Sequence, residues 1–174
     1  RLLWGRGDGR TLSVLDTEFG PLGGLICCEH WMPLARAAMH AKRETIHVAQ
    51  WPMVRDLHQV ASRHYAFEGQ CFVLAAGCTL TRGDVLKGVS SALGATDETL
   101  TLLASMPGED DDLLLRGGSA VIGPDSDYIA GPVFDQSCIL HAEIDLSRII
   151  EGHLTIDTDG HYSRPDIFRL TVDE

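Results

Sequence analysis

The stretch Leu22-Gly-Gly-Leu-Ile-Cys-Cys-Glu-His-Trp-Met-Pro33 decides how this chain is read. Two glycines lead into a short apolar run, the run stops at Cys27, and Pro33 marks the first turn of a helix, where its missing N–H costs nothing. The stretch therefore predicts a strand, a sharp turn and a helix. A nucleophile on such a turn is held clear of its own backbone, and the free N–H groups of the following helix start point at what it attacks. That makes Cys27 the candidate nucleophile. The competing reading is that Cys27 and Cys28 are two small buried hydrophobic residues, since free cysteine is commonly buried.

Working outward, Met32, Leu34, Ala35, Ala38, Met39 and Ala41 keep a helical spacing, and Lys42 and Arg43 complement the negative end of that helix. Thr45 to Ala49 reads as a short apolar strand carrying His47, stopped by Trp51-Pro52. Strand, helix and strand with so long a connection imply a parallel crossover. In open α/β sheets, ligands collect beyond the carboxyl ends of the strands, so Cys27 and Trp51-Pro52 are expected to face one pocket. Asp56 to Gln70 is a second helix, with Leu57, Val60, Ala61, Tyr65 and Phe67 as its expected inner residues, and Cys71 to Cys78 is a further buried strand.

Upstream, Arg1 to Gly9 reads as the end of an extended segment followed by a Gly-rich turn, and Thr11 to Asp16 alternates as a half-buried strand. Downstream, Thr79 to Arg116 reads as surface loop with one or two short helices, its acidic run Glu109 to Asp112 lying in solvent. Three strands are expected at Ser119 to Ile122, Tyr128 to Val133 and Cys138 to Asp145. A short helix at Leu146 to Glu151 with Asp145 as its cap follows, and the tail ends in a strand-like Arg169 to Val172. The order of elements suggests an α/β chain with helices over one face of each of two sheets, or of one large mixed sheet.

The 174 residues are 44% hydrophobic and 22% charged, which suits one globular domain or part of one. With 25 acidic against 14 basic residues the formal charge is -11, a field that repels phosphate backbones and anionic membranes. Nucleic acid and membrane are thus not expected partners. Five cysteines at irregular spacing, with no apolar leader, read as a reduced, cytoplasmic protein. The chain opens on Arg1 in a Leu-Leu-Trp run, as if cut from something longer.

No His-x-x-x-His pair and no Cys-x-x-Cys occurs, so no metal site is expected, and Asp157 and Asp159 before Gly160 read as a turn rather than a calcium loop. A cysteine nucleophile needs a nearby base or cation. The local candidates are Glu29, His30 and His47. Glu29 is also favoured in a first helical turn with no catalytic task, and His30 is expected to lie over its own helix, so the activating group is not found by this reading.

Leu22 to Pro33 together with Ile46-His-Val-Ala-Gln-Trp-Pro52 resembles the region around the nucleophilic cysteine of the nitrilases. Trp4-Gly5-x-Gly7-Asp8-Gly9, Arg63-x-Tyr65-Ala66-x-Glu68-Gly69, Gly117-Gly-Ser-Ala-Val-Ile-Gly-Pro124 and Gly160-His-Tyr-Ser-Arg-Pro-Asp166 resemble further nitrilase segments in the same order. The resemblance covers nearly the whole chain. It implies that residues 1–174 are a partial domain of the carbon–nitrogen hydrolase fold, a four-layer α-β-β-α sandwich with its N-terminal part missing.

In that family a glutamate, a lysine and a cysteine act together, often beside a second glutamate. The cysteine matches Cys27. Arg1 matches the last residue of the family's Lys-Leu-x-Pro-Thr-x-x-Glu-Arg segment, so the lysine and both glutamates are expected before this chain begins. Neither Lys42 nor Lys87, the only lysines, matches on motif grounds.

The resemblance implies hydrolysis of an organic nitrile to a carboxylic acid and ammonia through a cysteine thioimidate and thioester, with no cofactor. Cyanide hydrolysis or amide hydrolysis within the same superfamily is the near alternative. An inactive fragment acting only as an assembly partner is the alternative of another class. The backbone N–H of Cys28 is the expected oxyanion donor, although the family commonly has an aromatic residue there. His30, Trp51 and Pro52 are the expected pocket wall, with Glu29 in support. The intact protein is expected to be a homo-oligomer, a dimer or a spiral, and the half-chain to expose apolar sheet surface.

Overall fold

The computed structural model describes residues 5–92 and 94–174; Arg1 and Trp4, which carry part of the resemblance, lie outside them. One mixed sheet organises these residues. Its strands are β1 (Val14–Thr17), β2 (Gly20–Ile26), β3 (Ile46–Gln50), β4 (Phe72–Ala76), β5 (Thr79–Thr81), β6 (Leu113–Ile122) and β7 (Tyr128–Phe134). The spatial order is β1-β2-β3-β4-β6-β5, with β7 on the other edge of β6. Strands β2, β3 and β4 run parallel and the remaining pairs antiparallel.

The parallel strands are joined by crossovers through α1 (Pro33–His40) and α2 (Asp56–Gly69). Both start as the sequence predicts, α1 with Pro33 in its first turn. Their inner residues Met39, Ala61, Tyr65 and Ala66 pack on Leu25, Ala49, Val73, Ala75, Ala120 and Ile122, one side-chain set of the sheet. In register, Leu25, Ala49, Ala75 and Ala120 lie side by side, and the three alanines of that row let helices approach closely. In the opposite set Ile46, Phe72 and Val121 are buried, but Leu22, Val48 and Leu74 are only half-buried and Gly24 and Ile26 exposed, Ile26 at 62%. Among the described residues the chain thus supplies a helix layer on one sheet, with part of that sheet's second face open.

Several local expectations change. The segment Thr11 to Asp16 divides into a 3-10 turn at Gly9–Thr11, capped by Asp8, and the short β1. Leu57, Val60 and Phe67 of α2 face outward, because the narrow row of small residues beneath the helix leaves contact only for Ala61, Tyr65 and Ala66. Thr79 to Arg116 contains β5 and the start of β6 as well as α3 (Arg82–Ser90) and α4 (Asp97–Ala104). Arg82 holds this excursion closed, donating to the Met106 and Ala104 carbonyls and pairing with Asp110 of the otherwise solvated acidic run.

Cys138 to Asp145 and Arg169 to Val172 form no strand; Ile139 is 83% exposed, and no neighbouring strand completes a ladder for either segment among the described residues. The short helix α5 (Ser147–Thr155) follows, shifted from the expected Leu146 to Glu151; its N-cap is Leu146 rather than Asp145, whose carboxylate accepts from the Ser147 N–H from one residue further back. Asp157 and Asp159 both pair with Arg43, which ties the tail to the end of α1. No described helix is long and apolar enough to cross a membrane.

Candidate functional site

Strand β2 ends at Ile26 and the chain turns at once into a 3-10 segment, Cys27–Trp31, ahead of α1. Cys27 sits at the corner with φ +50°, in the left-handed region that costs a side-chain-bearing residue about 1–2 kcal/mol. The surroundings fasten it on both sides. The Glu29 carboxylate accepts from the Ile26 N–H at 2.7 Å, and His30 Nδ1 donates to the Cys27 carbonyl at 2.9 Å. Each such bond contributes about 1 kcal/mol or more, enough together to offset the strain. Glu29 therefore braces the elbow.

The registers Ile26–Gln50 and Gln50–Ala76 bring the carboxyl ends of β2, β3 and β4 level. A cavity of about 380 Å³ opens there, lined by Ile26, Cys27, Gln50, Trp51, Pro52, Ala76, Gly77 and Cys78. Cys27 and Trp51-Pro52 thus share one pocket, at the strand ends where α/β sheets collect ligands. Trp51 is fixed as wall: its ring lies 4.4 Å from that of His58 and 4.6 Å from that of His30, and its indole N–H donates to Ser62 Oγ at 3.1 Å.

His30 departs from the expected arrangement. It is 1% exposed and lies behind the pocket, because its turn of 3-10 helix points the ring toward α2 and β3 rather than toward the opening. There it belongs to a buried polar chain. His30 Nε2 is 3.1 Å from His47 Nε2, His47 Nδ1 is 2.7 Å from Glu44 Oε2, and the Tyr65 hydroxyl donates to Glu44 Oε1 at 2.5 Å. Burial holds His30 down at about pKa 4, against the opposing pull of the Cys27 carbonyl, and burial with the Glu44 charge drives the Tyr65 phenol up. Arg36 closes the outer shell, donating to the His30 carbonyl and pairing at 2.6 Å with Glu68, which also accepts from His40. That pairing accounts structurally for Glu68 in the Arg63-x-Tyr65-Ala66-x-Glu68-Gly69 segment.

The Cys27 thiol itself lies above its ordinary range: burial raises it first and Cys28, whose sulfur is 3.8 Å away, raises it further, while the Cys28 backbone N–H pulls the other way. The Cys28 side chain is exposed and does not line the pocket, while its backbone N–H faces the Cys27 sulfur. Glu29 and Glu44 are both engaged with backbone or buried partners. Lys42 donates to the Leu12 carbonyl, and Lys87 lies on the exposed side of α3. A thiol so placed can attack an electrophilic carbon once deprotonated, and an N–H at its side can receive the charge that develops.

Sequence reading places Cys27, Trp51 and Pro52 together correctly in space but does not find Glu44, Tyr65 or the pocket lining from Gln50, Gly77 and Cys78. A signal for the first was present. Glu44 and His47, a carboxylate and an imidazole at the edge of an apolar strand, are tolerated in a core only when they find partners.

The family model described as carbon–nitrogen hydrolase matches residues 1–153. A nitrilase of Bradyrhizobium diazoefficiens is 40% identical over 174 residues, which is 100% of this chain and 50% of the relative. An aliphatic nitrilase of Sinorhizobium fredii is 39% identical over the same length, 52% of its own. The chain therefore spans about half the length of the curated relatives it matches. Among solved structures, a carbon–nitrogen hydrolase from Helicobacter pylori superimposes with a TM-score of 0.57 at 20% identity, covering 86% of this chain and 50% of that one, which supports the fold.

Proposed function

The chain belongs to the carbon–nitrogen hydrolase family, and from that premise we propose that it is the nucleophile-bearing half of a nitrilase, a hydrolase acting on carbon–nitrogen bonds whose substrate is a small organic nitrile. The observation that carries the reading is Cys27 at φ +50° on a strand-to-helix corner, opening on a cavity at three parallel strand ends. The nitrilase names of the relatives at 40% and 39% identity support the choice of nitrile among carbon–nitrogen substrates.

In this reading a base takes the Cys27 proton and the sulfur adds to the nitrile carbon, forming the C–S bond of a thioimidate as the electron pair moves to nitrogen. The Cys28 N–H, free at the start of the 3-10 turn, stabilises that charge. Water displaces ammonia to leave a thioester, and a second water releases the acid. Trp51 and Pro52 wall the substrate. Because burial lifts the thiol, a base and a cation are required, roles that the family's motif assigns to positions ahead of the one Arg1 matches.

The test is to read the coding sequence upstream of Arg1 and assay the complete product for ammonia released from a nitrile panel, beside Cys27→Ser. Ammonia and acid from nitriles, lost in the serine variant, support the reading. Formamide from cyanide, or turnover of amides alone, would move the protein to a neighbouring activity, and no Cys27-dependent product at all would favour an inactive assembly partner.

A further inference from the structure

The buried chain behind Cys27 can be read proton by proton, because each of its atoms has a restricted role. The Cys27 carbonyl only accepts, so His30 carries a proton on Nδ1. His30 is neutral at pH 7 and its Nε2 is bare, so the contact with His47 exists as a hydrogen bond only if His47 donates through Nε2. On the other side His47 Nδ1 faces Glu44 Oε2, while Tyr65 donates to Oε1. One proton must lie between Nδ1 and Oε2 whichever atom holds it; otherwise a bare ring nitrogen would face a carboxylate lone pair. Glu44 and His47 are therefore a net-neutral pair sharing one proton, the state a pair with 1% and 0% side-chain exposure can tolerate. Gly23 makes room for it, since a Cβ there would overlap the Glu44 carboxylate.

The peptide gripped by His30 is the one whose N–H belongs to Cys28. It is trans, and in a planar trans peptide the carbonyl and the N–H point in opposite directions. Drawing the Cys27 oxygen into the core therefore turns the Cys28 N–H outward, toward the Cys27 sulfur, where that N–H lowers the thiol's pKa. A hydrogen bond received by the carbonyl also polarises the same peptide and strengthens its N–H as a donor.

We propose that Glu44, His47 and His30 are positioning residues: a buried relay with one shared proton that fixes the His30 tautomer, pins the Cys27 carbonyl, and thereby aims and polarises the Cys28 N–H as the oxyanion donor. The catalytic consequence rests on the reading of Cys27 as nucleophile; the proton arrangement does not. The other ionisable groups facing the relay are Arg36 and His40 of α1, Tyr65 and Glu68 of α2, Cys71 ahead of β4, and Cys27 itself.

Glu44→Gln is the discriminating variant. Its amide oxygen can accept from Tyr65 and its NH2 can donate to His47 Nδ1, so all four contacts survive with no shared proton, whereas Glu44→Ala leaves His47 without a partner. Solid-state NMR on protein labelled with 15N in histidine and cysteine reads tautomers and amides whatever the assembly size, with His30 identified by the signals lost in His30→Asn.

The relay predicts a neutral His30 protonated on Nδ1 in the wild type and in Glu44→Gln. It predicts a bare His47 Nδ1 in Glu44→Gln, and an upfield shift of the Cys28 amide proton in Glu44→Ala and His30→Ala that Glu44→Gln does not show. A His30 protonated on Nε2, a Cys28 amide indifferent to His30→Ala, or Glu44→Gln shifting it as far as Glu44→Ala would each overturn the proposal. Should the alanine variants not fold, the wild-type tautomer and the Glu44→Gln spectrum decide it. Protein that shows the pattern but releases no ammonia from nitriles keeps the relay and loses only the proposed reaction.

Discussion

Gly23→Ala adds one methyl group at a crowded point of the core. Gly23 lies in β2 beside His47 of β3, and a Cβ built there meets Glu44 Oε2, the carboxyl carbon behind it, and Met39 Cε. The methionine tip can swing aside. The carboxylate cannot, because His47 and Tyr65 hold its two oxygens. Either β2 shifts, an overpacking cost of about 1–3 kcal/mol, or the carboxylate leaves and gives up hydrogen bonds to a charged group worth about 1.5–3 kcal/mol each.

Replacing glycine in a strand returns about 0.5–1 kcal/mol, so by the cheaper route, the shift of β2, the expected net loss is about 1–2 kcal/mol. Guanidinium denaturation followed by tryptophan fluorescence measures it, and a double-mutant cycle with Glu44→Ala assigns it. With the carboxylate gone the new methyl occupies its space, so the two substitutions should couple by about 2 kcal/mol. Additivity within about 0.5 kcal/mol would refute the claim that Gly23 exists to seat Glu44.

Acid should unfold the protein through two groups. His30, held at about 4 by burial, is protonated more readily in the unfolded chain, so its contribution is complete above pH 6.5 and fades as pH falls toward 4; a flat profile over that window in the wild type would contradict its burial as a neutral ring. Glu68 is pushed up by burial but brought down to about 2 by His40 and Arg36, so it stabilises above pH 4.5 and loses that contribution as pH falls toward 2, and Glu68→Gln should flatten this part of a melting-temperature profile. The open face bearing Leu22, Ile26 and Val48 should make the 174-residue chain associate and bind an apolar dye; a monomeric sedimentation profile with cooperative unfolding would count against it. Arg36→Lys, which loses the two-pronged reach to Glu68 and to the His30 carbonyl, should cost about 1–3 kcal/mol by thermal denaturation, and no loss would show that the elbow does not depend on that brace.

Local pattern in the sequence was enough to determine the strand, corner and helix around Cys27, the parallel crossovers, and the meeting of Cys27 with Trp51-Pro52. Each follows from short-range physics: apolar runs bounded by glycine, Pro33 at a helix start, and the rule that parallel strand ends share a crevice. The tertiary structure alone decided the rest. Whether Cys138 to Asp145 becomes a strand depends on a neighbour for its backbone, which an alternating pattern cannot supply, and it stays irregular. Whether His30 faces the pocket or the core depends on which distant partner its ring meets, and it turns inward to His47, 17 residues away in sequence. Glu44 is another such case: the apolar strand beside it hints that it needs a partner, but which partners it finds is decided only when Gly23, His47 and Tyr65, from three different elements, leave it space and hydrogen bonds. Backbone shape follows from neighbours in sequence, whereas the partners of a buried polar group are fixed only when distant segments close around it.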